Sequence, residues 1–157
     1  MPITIKSERE IELMTEAGRI LGIVHKELEK ALKPGMSTLD IDALGEEVIR
    51  SYGCEPSFLN YNGYPASICV SVNDEIVHGI PSAKHLIKEG DIVSLDAGVI
   101  YKGYHSDAAR TYAVGEVSLQ WQNTKSTKIF SRVQNSIRVL YLPIWKKFVF
   151  PLMQQKL

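Results

Sequence analysis

Cysteine is scarce: Cys54 and Cys69 are the only two in 157 residues. Such a pair suits a reduced chain better than a disulfide framework, and its spacing matches no zinc motif. Long apolar runs are also missing, since none approaches the roughly 20 residues of a membrane span. The N-terminus, MPITIKSERE, lacks the apolar core of a secretory signal, so the expected location is cytoplasmic. There is no glycine-rich phosphate loop and no internal repeat. The most informative absence is local: residues 119–157 contain no Asp, Glu, His or Gly.

That absence exposes a division hidden by a net charge of zero. The final segment holds seven basic side chains (Lys125, Lys128, Arg132, Arg138, Lys146, Lys147 and Lys156), which leaves eleven basic against eighteen acidic side chains before it. Both tryptophans, Trp121 and Trp145, fall in the final segment. A shift this abrupt marks a boundary, placing a domain over 1–118 and a basic tail over 119–157. The skew and the lack of glycine suit AT-rich DNA translated in a shifted frame, so the tail is expected to be frameshifted or disordered. Its apolar run around Pro143 is too broken to span a bilayer and has the wrong period for a membrane-surface helix.

What is present centres on DIVSLDAGVIYKGYHSDAARTYAV, residues 91–114. Its first arm is rich in β-branched and aromatic residues, and Lys102-Gly103 reads as a two-residue turn. With those two at the turn, Tyr101 faces Tyr104, Asp96 faces Ala109, and Asp107 lies two residues from that partner. Side chains alternate along a strand, so Asp96 and Asp107 become diagonal neighbours on one face, roughly 7–8 Å apart at Cα. Two readings stand at this point. The pair can share a divalent cation or hold two of them, or both can be ordinary strand-end aspartates engaged in local turn chemistry.

Upstream, Ser7 and Glu10 form a capping box for a helix whose apolar stripe runs Ile11, Met14, Ala17, Leu21, Val24, Leu28 and Leu32. Lys33-Pro34-Gly35 ends it. Ser37 and Thr38 offer a cap for a second helix over about residues 39–52, burying Leu44, Val48 and Ile49. The next stretch, FLNYNGYPASICVSVNDEIVHGIP, predicts turns at Asn62-Gly63 and Tyr64-Pro65, a strand over 66–72, and a short strand through Ile76 and Val77 that delivers His78 to a bend. Phe58, Tyr61 and Tyr64 fit core or turn packing as well as a binding pocket, and His78 alone fits a hydrogen-bonding turn residue.

The motifs YNGYPASICVSVNDEIVHGIP, GDIVSLDAGVIYKGYHSDAARTYAVG and KPGMSTLDID, in that family's order and spacing, resemble the N-terminal half of type I methionine aminopeptidases. The resemblance covers residues 7–118 and implies an α/β (α+β) fold: half of a pita-bread domain, a mainly antiparallel sheet packed against two helices. It implies an enzyme that hydrolytically removes N-terminal methionine from nascent polypeptides. It also implies two divalent metal ions (Co, Mn, Fe or Zn) held by two Asp, one His and two Glu. On the motif match, Asp96 chelates one metal and Asp107 bridges both. His78 is the substrate-binding histidine, while Tyr61, Tyr64 and Cys69 line the methionine pocket. Phe58 stands where many members have a smaller cysteine.

The remaining His and two Glu of that family follow the point where the match ends, and residues 119–157 supply none of them. One missing Glu is the general base. The chain is therefore expected to bind metal weakly and to be inactive alone. The alternative is a non-catalytic pita-bread binding module whose basic tail contacts nucleic acid or membrane.

Overall fold

The computed structural model describes residues 5–118; the basic tail expected over 119–157 lies outside them. The elements in chain order are α1 (Glu8–Ala31), α2 (Thr38–Ser51), β1 (Glu55–Pro56), a 3-10 turn at Tyr61–Gly63, β2 (Ile68–Val72), β3 (Ile92–Tyr101) and β4 (Tyr104–Ala113). No helix among the described residues is long and apolar enough to cross a membrane.

Both helices begin on reciprocal caps. Ser7 Oγ accepts from Glu10 N at 3.4 Å while Glu10 Oε2 accepts from Ser7 N at 2.8 Å. Ser37 and Asp40 repeat the arrangement at 3.1 and 2.8 Å. These side chains satisfy amides that a helix start leaves without intrahelical partners. The buried face of α1 is Ala17, Ile20, Leu21, Val24, His25 and Leu28, a broader band than the single stripe expected. Ile11, the first member of that stripe, is exposed. On α2, Leu44 and Val48 are only partly buried, whereas Ile41 and Ile49 are fully so.

β3 is the central strand. One of its edges pairs antiparallel with β4 along its whole length, and the other pairs with β2 through residues 93–97 and with β1 at Val99 and Ile100. Lys102 (φ 48°) and Gly103 (φ 85°) both have positive φ, as a type I′ hairpin turn demands. The ladder therefore runs without a bulge from Tyr101↔Tyr104 to Ile92↔Ala113. Alternation then sorts the sheet. Val93, Leu95, Ala97 and Val99, with Ile68, Val70 and Val72, pack on the two helices as the main core. The opposite face carries Cys69, Ser71, Ser94, Asp96, Gly98, Asp107 and Thr111.

The expected strand through Ile76 and Val77 is not formed. Gly79 occupies the neighbouring edge of β2 instead: its carbonyl accepts from Val70 N at 3.0 Å and its amide donates to Ser71 Oγ at 3.0 Å. The residues before it loop outward, leaving Ile76 85% exposed.

Candidate metal centre

The hairpin register fixes the carboxylates. Asp96 sits opposite Ala109 on β4 and Cys69 on β2, while Asp107 sits opposite Gly98. Both aspartates therefore project from the same sheet face, one diagonal step apart. Burial raises the pKa of each above the ordinary carboxylate range. For Asp107, desolvation is reinforced by the Asp96 charge and brings the value to about 8. The two carboxyls are close enough that ionising one makes ionising the other harder. Asp96 Oδ1 is buried without a hydrogen-bond partner. No salt bridge among the described residues reaches either group.

Oxygen donors at low dielectric, one of them orphaned and both lacking a counter-charge, are what a divalent cation relieves. The fit is partial. Among the described residues no third His, Cys, Asp or Glu joins the pair in a group that could hold a metal ion.

Beside the carboxylates lies a small apolar cluster of Phe58, Tyr64, Ala66 and Cys69, separate from the main core. Three of the four residues named for a methionine pocket are thus brought together. The Tyr64 hydroxyl donates to the carbonyls of Ile68 (3.1 Å) and Gly79 (3.3 Å), tying the cluster to β2 and to the loop that carries His78. Burial holds the Tyr64 hydroxyl firmly protonated and pushes the Cys69 thiol up to about 12, with the Asp96 charge adding to the latter, so Cys69 acts here as packing rather than as a nucleophile. Tyr61 is half-buried on the 3-10 turn, outside the cluster. His78 is half-buried at φ 59°, immediately before the Gly79 docked on Val70 and Ser71. It therefore sits at the outer edge of β2, one strand removed from Asp96.

Two features escaped the sequence reading. Gly98 is a close-approach position: a Cβ there would stand 2.7 Å from Ser57 Cβ and 2.9 Å from Phe58 Cε1. Its bare backbone admits Phe58 against the sheet directly across from Asp107, and a glycine inside a strand is the signal that could have revealed this. His105, two residues before Asp107, contacts Ser57 Oγ through Nδ1 at 3.2 Å, and burial lowers its pKa.

The sequence profile of metallopeptidase family M24 matches residues 12–139, reaching past the boundary expected at Ser118. A methionine aminopeptidase of Clostridium acetobutylicum is 53% identical over 116 residues, covering 74% of this chain and 46% of the relative. Methionine aminopeptidase 1 of Bacillus subtilis is 51% identical over the same shares. The chain spans about half the length of these relatives. Among solved structures, the methionine aminopeptidase of Thermotoga maritima superposes with a TM-score of 0.75 at 41% identity, over 78% of this chain and 49% of that one. A Xaa-Pro dipeptidase from Bacillus anthracis gives 0.66 at 33% identity, over 76% and 32%. An antiparallel sheet backed by two helices is the architecture these pita-bread proteins share with it. On the profile match over most of its length, with a carboxylate pair on the sheet face, the chain belongs to metallopeptidase family M24.

Proposed function

We propose that these residues form the carboxylate and substrate-pocket half of a cytoplasmic methionine aminopeptidase, which removes N-terminal methionine from nascent polypeptides by hydrolysis. The observation that carries the reading is the Asp96–Asp107 pair, buried, met by no salt bridge among the described residues and set against the Phe58–Tyr64–Cys69 cluster. Carboxylate oxygens suit Mn²⁺, and the family resemblance adds Co²⁺, Fe²⁺ and Zn²⁺. When bound, such ions supply Lewis acidity and a water of lowered pKa. Asp107 is assigned to both ions and Asp96 to one. His78 donates a hydrogen bond to the scissile amide, positioning it. Tyr61, Tyr64, Cys69 and Phe58 enclose the methionine side chain and exclude water from it.

The His and two Glu that would complete the ligand set have no counterpart in the matched motifs, and residues 119–157 contain neither residue type. A second stretch of polypeptide has to supply them, one of the two Glu being the one that moves the proton. The 157 residues by themselves bind cations weakly and turn over no substrate. The test is methionine release from Met-Ala-Ser with Mn²⁺ present, using this chain alone and then mixed with the C-terminal half of the Bacillus subtilis relative. Release is expected only from the mixture. Turnover by the chain alone would overturn the missing half-site, and a stable complex that releases no methionine would overturn the substrate assignment.

A further inference from the structure

Asp107 is flanked on β4 by two ties to the same helix. On one side, Ser106 Oγ donates to the Ala17 carbonyl of α1 at 2.9 Å. On the other, the Ala108 carbonyl lies 2.9 Å from His25 Nε2. His25 is itself fixed from below, because the Tyr112 hydroxyl is 3.3 Å from its Nδ1 and 3.2 Å from its carbonyl. His25 is 1% exposed, and no charged partner satisfies it; its two ring nitrogens are occupied by Ala108 and Tyr112. With Nε2 donating to the carbonyl, the neutral tautomer leaves Nδ1 as an acceptor, and the single Tyr112 hydroxyl proton lies within reach of both that nitrogen and the His25 carbonyl.

A buried imidazole with both nitrogens committed is a costly choice for a helix face that aliphatic residues otherwise fill. What it holds is the carbonyl of the Ala108–Ala109 peptide, one residue beyond Asp107. Register along β3 sets where Asp107 stands, but a strand can still twist about its own axis, and that twist aims the side chain. The ties at Ser106 and Ala108 stop that twist at the two neighbouring residues.

We infer that His25 is a positioning residue, holding the β4 backbone through Ala108 so that the Asp107 carboxylate stays aimed at the position it shares with Asp96. This rests on the reading of the aspartate pair as a cation site. His25 touches neither cation nor substrate, and acts through the backbone.

The test uses the full chain and Mn²⁺ alone, followed by paramagnetic broadening of the Asp96 and Asp107 amides. His25→Leu keeps the bulk and loses the donor, whereas His25→Gln returns an amide N–H to the same carbonyl. Partners that orient metal ligands are worth about 10–100-fold in affinity. His25→Leu should weaken Mn²⁺ binding by about tenfold, at the low end because the effect passes through the backbone, and His25→Gln should recover most of it. Ile41→Val, in the core on α2, costs stability without touching β4 and should leave the affinity unchanged. Equal affinity in wild type and His25→Leu would overturn the inference while leaving the cation site intact. Broadening of neither aspartate in the wild type would overturn the cation reading and the inference with it. Should His25→Leu fail to fold, Ser106→Ala and His25→Gln carry the same comparison: weakening in the first with retention in the second supports the tie, and no change in the first removes it.

Discussion

Acidification places a proton on His25 in the unfolded chain that the folded chain refuses. Burial, with a smaller push from Arg110, lowers its folded pKa to about 4, against 6.5 when exposed. The sign follows from linkage: a group depressed on folding contributes its stability fully above the unfolded pKa and loses it as pH falls towards the folded one. The window is therefore pH 6.5 down to 4. The difference, at about 1.4 kcal/mol for each pH unit, amounts to roughly 3 kcal/mol. The aspartate pair works in the opposite direction, since its raised values add stability as pH falls. Wild-type stability alone would blend the two. The discriminating quantity is the difference between wild type and His25→Gln in urea unfolding, followed by far-UV circular dichroism with EDTA present. At pH 7.5 wild type should lead by its full margin, and that margin should shrink by about 3 kcal/mol by pH 4. A margin constant across the window would refute the buried, neutral imidazole.

The same linkage predicts that Asp107→Asn strengthens the metal-free fold at pH 7. With a folded pKa of about 8, Asp107 keeps at pH 7 a proton that the unfolded chain gives up, which costs on the order of 4 kcal/mol. The substitution should recover much of this in EDTA at pH 7, and nothing near pH 3, where the carboxyl is protonated in both states; destabilisation at pH 7 would contradict the repulsion. Gly98→Ala forces a methyl into Ser57 and Phe58, for an expected loss of about 1–3 kcal/mol in chemical denaturation and displacement of the Phe58 ring. An unchanged midpoint would show that the contact gives way.

How far the sequence carries depends on the range of each interaction. The capping box at Ser7, the presence of a cap at Ser37 and the hairpin register were legible because each is decided within a few residues: a side chain reaching three positions on, or a two-residue turn that counts off every partner to Ile92 and Ala113. The shared face of Asp96 and Asp107 follows from that count. Ile76 and Val77 misled because their β-branched character has no partner to pair with once Gly79 takes the edge of β2. Gly79 can do so because a Cβ there would stand 2.1 Å from the Val70 carbonyl oxygen. The role of His25 was invisible for the opposite reason. Its partners are 83 and 87 residues away, and a histidine inside an aliphatic helix face carries no local sign of them.

Asp96 and Asp107 are proposed to form a two-carboxylate cation site that stays incomplete within these 157 residues. The most direct measurement is a Mn²⁺ titration of the ¹⁵N-labelled chain at pH 7.5, compared with the Asp96→Asn/Asp107→Asn variant. Broadening is expected to centre on those two residues, with a dissociation constant on the order of 1 mM, and to be lost in the variant. Tight binding, at micromolar Kd or below, would show that the missing ligands are present after all. Broadening that survives in the variant would place the cation elsewhere.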